Sequence, residues 1–116
     1  MATIDDRVLL HLADGRRLPV DPAEIYLLDA ESGDTLVRTR HAEPLTDVRQ
    51  LAQLLEVLEP FGFLEVHRGQ AVNLRRVREI RPDGDGGWEV KLDPPVNRVV
   101  PVSRRRVADL WQRFGE

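Results

Sequence analysis

The sequence predicts an α+β fold, mostly β, built from small antiparallel sheets with one amphipathic side helix and a short C-terminal helix. Three observations carry that expectation. Short apolar runs alternate with turns rich in Gly, Pro and Asp over about the first forty residues. A single central stretch then switches to apolar positions three and four residues apart. After it, short alternating runs return before a second, brief helical pattern at the end.

The first run, Val8-Leu9-Leu10-His11-Leu12, is turned by Asp14-Gly15 into Arg16-Arg17-Leu18-Pro19-Val20 and reads as a hairpin. Asp21-Pro22 has the chemistry of a cap followed by proline at the next position. Ile25 to Ala30 resumes as a strand, Glu31-Ser32-Gly33-Asp34 closes a tight connection, and Thr35 to His41 follows as another strand. Thr46 then reads as the N-cap of a helix of roughly three to four turns, with Val48, Leu51, Leu54, Leu55 and Leu58 on one stripe. Pro60 and Gly62 end it.

Beyond the helix, Phe61 to Val66 leads into the polar stretch His67-Arg68-Gly69-Gln70, and Ala71-Val72-Asn73-Leu74 is apolar again. Asn73 reads as a buried side chain bonded to local backbone. Ile80 opens a segment that turns at Asp83-Gly84-Asp85-Gly86-Gly87. Trp88 to Leu92 alternates as a half-buried strand, and Arg98 to Val102 is its hairpin partner. Ser103 reads as the N-cap of a helix from Arg104 to Phe114, with Val107, Leu110, Trp111 and Phe114 on one face. Trp88, Trp111, Phe61, Phe63 and Phe114 are expected in the core or at its rim. They do not interleave with basic residues as a single-strand stacking platform requires.

A chain of 116 residues fits one domain, residues 1–116 with a core at about 6–115. No cysteine is present, which excludes disulfides, thiolate metal sites and thiol nucleophiles and fits a reducing cytoplasm. Met1 to Asp6 is acidic where a signal peptide would be basic. No apolar run approaches the roughly 20 residues that span a bilayer. The expectation is a soluble, cytoplasmic protein with no membrane partner. His11, His41 and His67 lack metal-ligand spacing, and there is no phosphate-binding glycine loop or nucleophile motif. Neither an enzyme nor a cofactor is therefore expected.

Net charge is −3, which read as one number disfavours nucleic acid. Its distribution matters more. Residues 1–64 hold 6 arginines against 12 acidic residues, and residues 65–116 hold 10 arginines and Lys91 against 8. The second half is basic and almost wholly arginine, whose planar fork suits phosphate oxygens and guanine edges. A solvated arginine-rich surface accounts for the same composition.

Three segments in order resemble the LytTR family of bacterial DNA-binding output domains. Phe63-Leu64-Glu65-Val66-His67-Arg68-Gly69-Gln70-Ala71-Val72-Asn73-Leu74 is similar to its central motif, and Val100-Pro101-Val102-Ser103-Arg104-Arg105 to its closing motif. The leucine helix 46–58 stands where the family has a helix of that pattern. The resemblance covers about residues 6–115. Gly69 departs from the pattern, standing where the family commonly has serine.

That resemblance implies an elongated stack of small antiparallel sheets with a helix on the side. It also implies sequence-specific binding of double-stranded DNA through loops inserted into successive grooves at direct repeats. Loops 30–35, 67–70 and 103–106 should face DNA. The residues carried over or placed beside those loops are Asp34, Thr35, His67, Arg68, Gln70, Arg98, Ser103, Arg104 and Arg105. Arg68 falls at the central groove and Arg104 in a major groove. The third reading position falls at Asp34 or Thr35. A homodimer formed on DNA is implied. The family usually joins this domain to a receiver or sensor domain, which these residues do not include: either the regulator stands alone or the sequence is a fragment, and a separate receiver or sensor protein is a candidate partner.

Apart from the family, Ser103-Arg104-Arg105-Arg106 reads as a helix N-terminus bearing three guanidinium groups, which favours an anion. The alternative is that one or two of these arginines pair with Asp109 or another carboxylate. His67-Arg68 reads as a DNA contact or as a structural histidine beside a solvated arginine. Arg75, Arg76 and Arg78 read most simply as surface residues of a short turn, with phosphate contact as the alternative. The acidic first half and Gly69 keep a second function open: a protein-interaction module of the same fold that modulates another regulator.

Overall fold

The computed structural model describes residues 6–116. The reading of Met1 to Asp5 therefore lies outside the described residues. Val8–His11 (β1) and Arg17–Val20 (β2) form the predicted hairpin, with Val8 opposite Val20. Asp21 caps a 3₁₀ turn at Pro22–Glu24, its carboxylate accepting from Ala23 N at 2.9 Å.

Ile25–Glu31 (β3), Asp34–Thr39 (β4) and Leu45–Asp47 (β5) join Phe63–His67 (β6) and Gln70–Asn73 (β7) in one antiparallel sheet ordered β5-β4-β3-β7-β6. The central strand β3 is buried on both faces, which is why Ile25-Tyr26-Leu27-Leu28 is continuously apolar rather than alternating. A register shift between Ile25 and Leu27 lets neighbours point to different layers: Ile25 and Leu28 enter one core, Tyr26 and Leu27 the other.

The first core lies between this sheet, the β1–β2 hairpin and the helix Leu51–Leu58 (α1), whose Leu51, Leu54 and Leu58 are buried. The second lies on the opposite face, under a three-stranded sheet and the helix Val107–Arg113 (α2). That sheet is ordered β10-β9-β8, from Val77–Pro82 (β8), Trp88–Leu92 (β9) and Val99–Val102 (β10). Trp88 meets Trp111 edge to face, ring centroids 4.9 Å apart. The molecule measures 43 × 31 × 25 Å, elongated as expected.

Asn73 is buried as predicted, but its partners are distant in sequence as well as local. Its amide donates to Pro22 O and Ile25 O, and its Oδ1 accepts from Arg75 N.

Two helix readings require correction. Residues 45–47 are a strand, not the approach to a helix, and the helix starts at Leu51 behind Gln50 rather than at Thr46. Val48 is therefore off the apolar stripe and 48% exposed. The physical reason is Asp47, whose carboxylate takes backbone donors from His11 and Arg49 and holds this stretch extended. Second, Arg104–Arg106 is a 3₁₀ turn, and α2 begins only at Val107. Ser103 makes no side-chain capping bond, and Phe114 is 51% exposed rather than core.

Candidate nucleic-acid interface

Strand direction gathers several connections at one end of the molecule. The β3–β4 tip, Ser32-Gly33, turns with Ser32 at φ 50° and Gly33 at φ 90°. The β6–β7 turn, Arg68-Gly69, lies beside it: Ala30 N donates to Gly69 O at 2.8 Å. On the other side of that turn, Ser103 N donates to Val66 O at 2.7 Å. Loops 30–35, 67–70 and 103–106 are thus held side by side by backbone bonds, with the central one shared.

Shallow grooves flank Arg68. Ala30 to Asp34, Gln50, Leu51, Ala52, Glu65, Arg68 and Gly69 line the first, of about 380 Å³. His67, Arg68, Ser103, Arg105, Arg106 and Glu65 line the second, of about 280 Å³.

The arginines divide by partner. Arg106 turns inward and bonds Glu65 at 2.8 Å, with Asp109 at 3.8 Å. Arg68, Arg104 and Arg105 are exposed, and among the described residues none of them forms a salt bridge. The Asp83 carboxyl lies below its ordinary pKa, chiefly through backbone bonds from Asp85 and Gly87, with Arg104 adding a smaller electrostatic contribution.

Of the residues expected to touch DNA, Asp34, His67, Arg68, Ser103, Arg104 and Arg105 lie at this end. His67 places Nδ1 3.0 Å from the Arg68 carbonyl, a bond within the turn. Three others are placed differently. Thr35 is fully buried, its hydroxyl donating to Arg49 O at 2.8 Å, so it offers nothing to a ligand. Gln70 is half-buried and its amide donates to Asp29 at 2.8 Å, where Arg38 also bonds at 2.6 Å. Arg98 stands at the far end of β10 from Ser103, five residue steps or roughly 16 Å away along an extended strand. It shares a cleft there with Arg38, Arg40 and His41.

Sequence reasoning also passed over residues that this end contains. The Asp83–Gly87 turn is here because Trp88 pairs with Val102, which brings the start of β9 beside the end of β10. Pairing arithmetic on the predicted hairpin held that signal. Gln50, at the start of α1, had none. Among the described residues no group of three or more His, Asp or Glu is placed to hold a metal ion, and no helix is long and apolar enough to cross a membrane.

A family model of the LytTr DNA-binding domain matches residues 15–115. The chain belongs to the LytTR family. Its fold agrees with that of the LytTr DNA-binding domain of a Bacillus cereus protein described as a methyl-accepting/DNA response regulator. The TM-score is 0.74 at 25% identity, over 97% of this chain and 99% of that one.

This LytTR domain is 31% identical over 104 residues to the transcriptional regulatory protein YpdB of Escherichia coli K12, covering 89% of the chain and 42% of the relative. It is 34% identical over 91 residues to the CO-responsive transcriptional regulator RcoM of Rhodospirillum rubrum, covering 78% and 38%. It is 26% identical over 106 residues to the sensory transduction protein LytT of Oceanobacillus iheyensis, covering 91% and 43%. The chain thus spans about two-fifths of the length of these curated relatives.

Proposed function

We propose that residues 6–115 act as one sequence-specific, double-stranded DNA-binding domain of a bacterial transcription regulator. It works by binding, with no catalytic step. The observation that carries this reading is the continuous edge made by the three loops, with Arg68, Arg104 and Arg105 exposed along it and, among the described residues, in no salt bridge.

An exposed guanidinium without a carboxylate partner has no ion pair to break when it meets a phosphate or a guanine edge, so the new contact retains its full value. Arg104 is the base-reading candidate, Arg68 reaches the central groove, and Arg105 with Ser103 fits the backbone. Direct repeats, with two copies side by side, are the operator form that the family reading implies. A receiver or sensor domain would supply the signal.

The test is selection from random duplex DNA, followed by affinity measurements at about 50 and 200 mM salt. An enriched two-repeat motif, with log affinity falling at roughly −0.9 per phosphate contacted, supports the reading. Folded protein that enriches nothing and binds with a flat salt slope would overturn it. That result would move the function to a protein-interaction module using the acidic half.

A further inference from the structure

Thr35 is placed where a DNA-contacting residue was expected, yet its hydroxyl is turned away from the surface. It bonds Arg49 O at 2.8 Å. Arg49 is itself locked. Its backbone N and Nε donate to Asp47 Oδ1 at 2.9 and 3.0 Å, and its NH2 group donates to Asp47 Oδ2 at 2.8 Å.

Asp47 is fully buried and takes a further bond from His11 N at 2.9 Å. The same Arg49 NH2 donates to Leu9 O at 2.9 Å. One buried carboxylate and one arginine therefore join the β1–β2 hairpin, β5 and the chain entering α1 to the first residues of β4. Asp47 is also the ladder partner of Thr35. Thr35 follows Asp34 directly, and Asp34 ends the tip that packs beside Gly69.

We propose that Thr35, Arg49 and Asp47 are positioning residues for DNA recognition. They hold the β3–β4 tip in its reading geometry without touching DNA, and they tie that geometry to the N-terminal hairpin. A tip with exposed Glu31, Ser32 and Gly33 has few contacts of its own. Its angle is set at its base, where β3 leaves and β4 begins. Base reading tolerates little misplacement, so a flexible base weakens selectivity more than it weakens general attraction to phosphate. The inference rests on the proposed DNA-binding role.

Two variants test it. Thr35→Val keeps the shape and the strand preference but deletes the hydroxyl. Arg49→Lys keeps the charge but cannot bridge Asp47 and Leu9 with a planar fork. Each is put through the same selection from random duplex DNA, with unfolding curves recorded in parallel.

The expected result is a flattened base preference at one outer flank of the site, opposite the flank altered by Arg104→Ala. Affinity for the selected duplex should fall about five- to tenfold, with random-sequence affinity and salt slope unchanged. Thr35→Ser should restore the preference. Selective binding that is unaltered in both variants overturns this inference alone, as does an equal loss at every position. Two variants that do not fold also overturn it, since the contacts would then serve stability. No selective binding by the unaltered chain overturns the DNA-binding reading and this inference with it.

Discussion

The Ser103 amide donates to the Val66 carbonyl at 2.7 Å, a backbone bond across 37 residues of sequence. It fixes the end of β10 against the end of β6, and so sets Arg104 and Arg105 beside His67 and Arg68. Two motifs separated by more than thirty residues become one arginine-bearing edge through that contact and its counterpart between Ala30 and Gly69.

Arg104→Ala should relax base preference at one position and cost about 1–3 kcal/mol on the selected duplex. Competition binding against single-base variants of that duplex measures both. An equal loss on all sequences would make Arg104 a phosphate contact instead.

Arg105→Ala, by contrast, should weaken binding evenly across sequences and lower the salt slope by roughly 0.9. Titrations at several salt concentrations read the slope directly. A change in base preference with an unchanged slope would reverse the roles assigned to these two neighbours.

Leu54→Ala should cost about 2–5 kcal/mol, since Leu54 is fully buried between α1 and the central sheet. Leu55 is only partly buried and its truncation should cost less. Urea unfolding of both variants ranks them. Equal values would mean that α1 is rotated relative to the packing described above.

Stability should fall in acid through Asp47. Burial raises the pKa of this carboxyl, but bonds from the Arg49 side chain, Arg49 N and His11 N outweigh burial and leave it below the ordinary aspartate value of 3.8. A depressed folded value means that the unfolded chain binds more protons at low pH. The contribution is therefore complete above about 3.8 and is lost as pH falls through the folded value. Asp47→Asn should cost about 3–5 kcal/mol at neutral pH by stranding Arg49, and should flatten the acid slope. Unfolding free energies from pH 7 to pH 2 check the sign.

Gly69→Ser should destabilise the free domain by about 1–3 kcal/mol through backbone strain, because Gly69 sits at φ 82°. Space is not the obstacle: an added Cβ would meet only Ala30 Cβ, at 3.6 Å. Thermal unfolding measures the cost. An unchanged midpoint would show that the turn relaxes to a form that serine accepts.

Much of this protein was legible along the chain. The Asp14-Gly15 hairpin, the continuous apolar run of β3, the alternation of β9 and the leucine stripe of α1 each depend on local periodicity and turn chemistry, which are properties of neighbouring residues. The family followed from motifs carried at 63–74 and 100–105.

Tertiary structure decided what periodicity cannot hold. A three-residue strand and a helix entry look alike in apolar spacing, so only the pairing of Asp47 with Thr35 and its bonds to His11 and Arg49 made Leu45–Asp47 a strand. The burial of Thr35, the tie between Gln70 and Asp29, and the inward turn of Arg106 to Glu65 all join residues far apart in sequence. Strand direction sent Arg98 to the opposite end from Ser103. Which residue types this edge has to offer is written in the chain; which of them face outward was settled by contacts between residues that the chain keeps far apart.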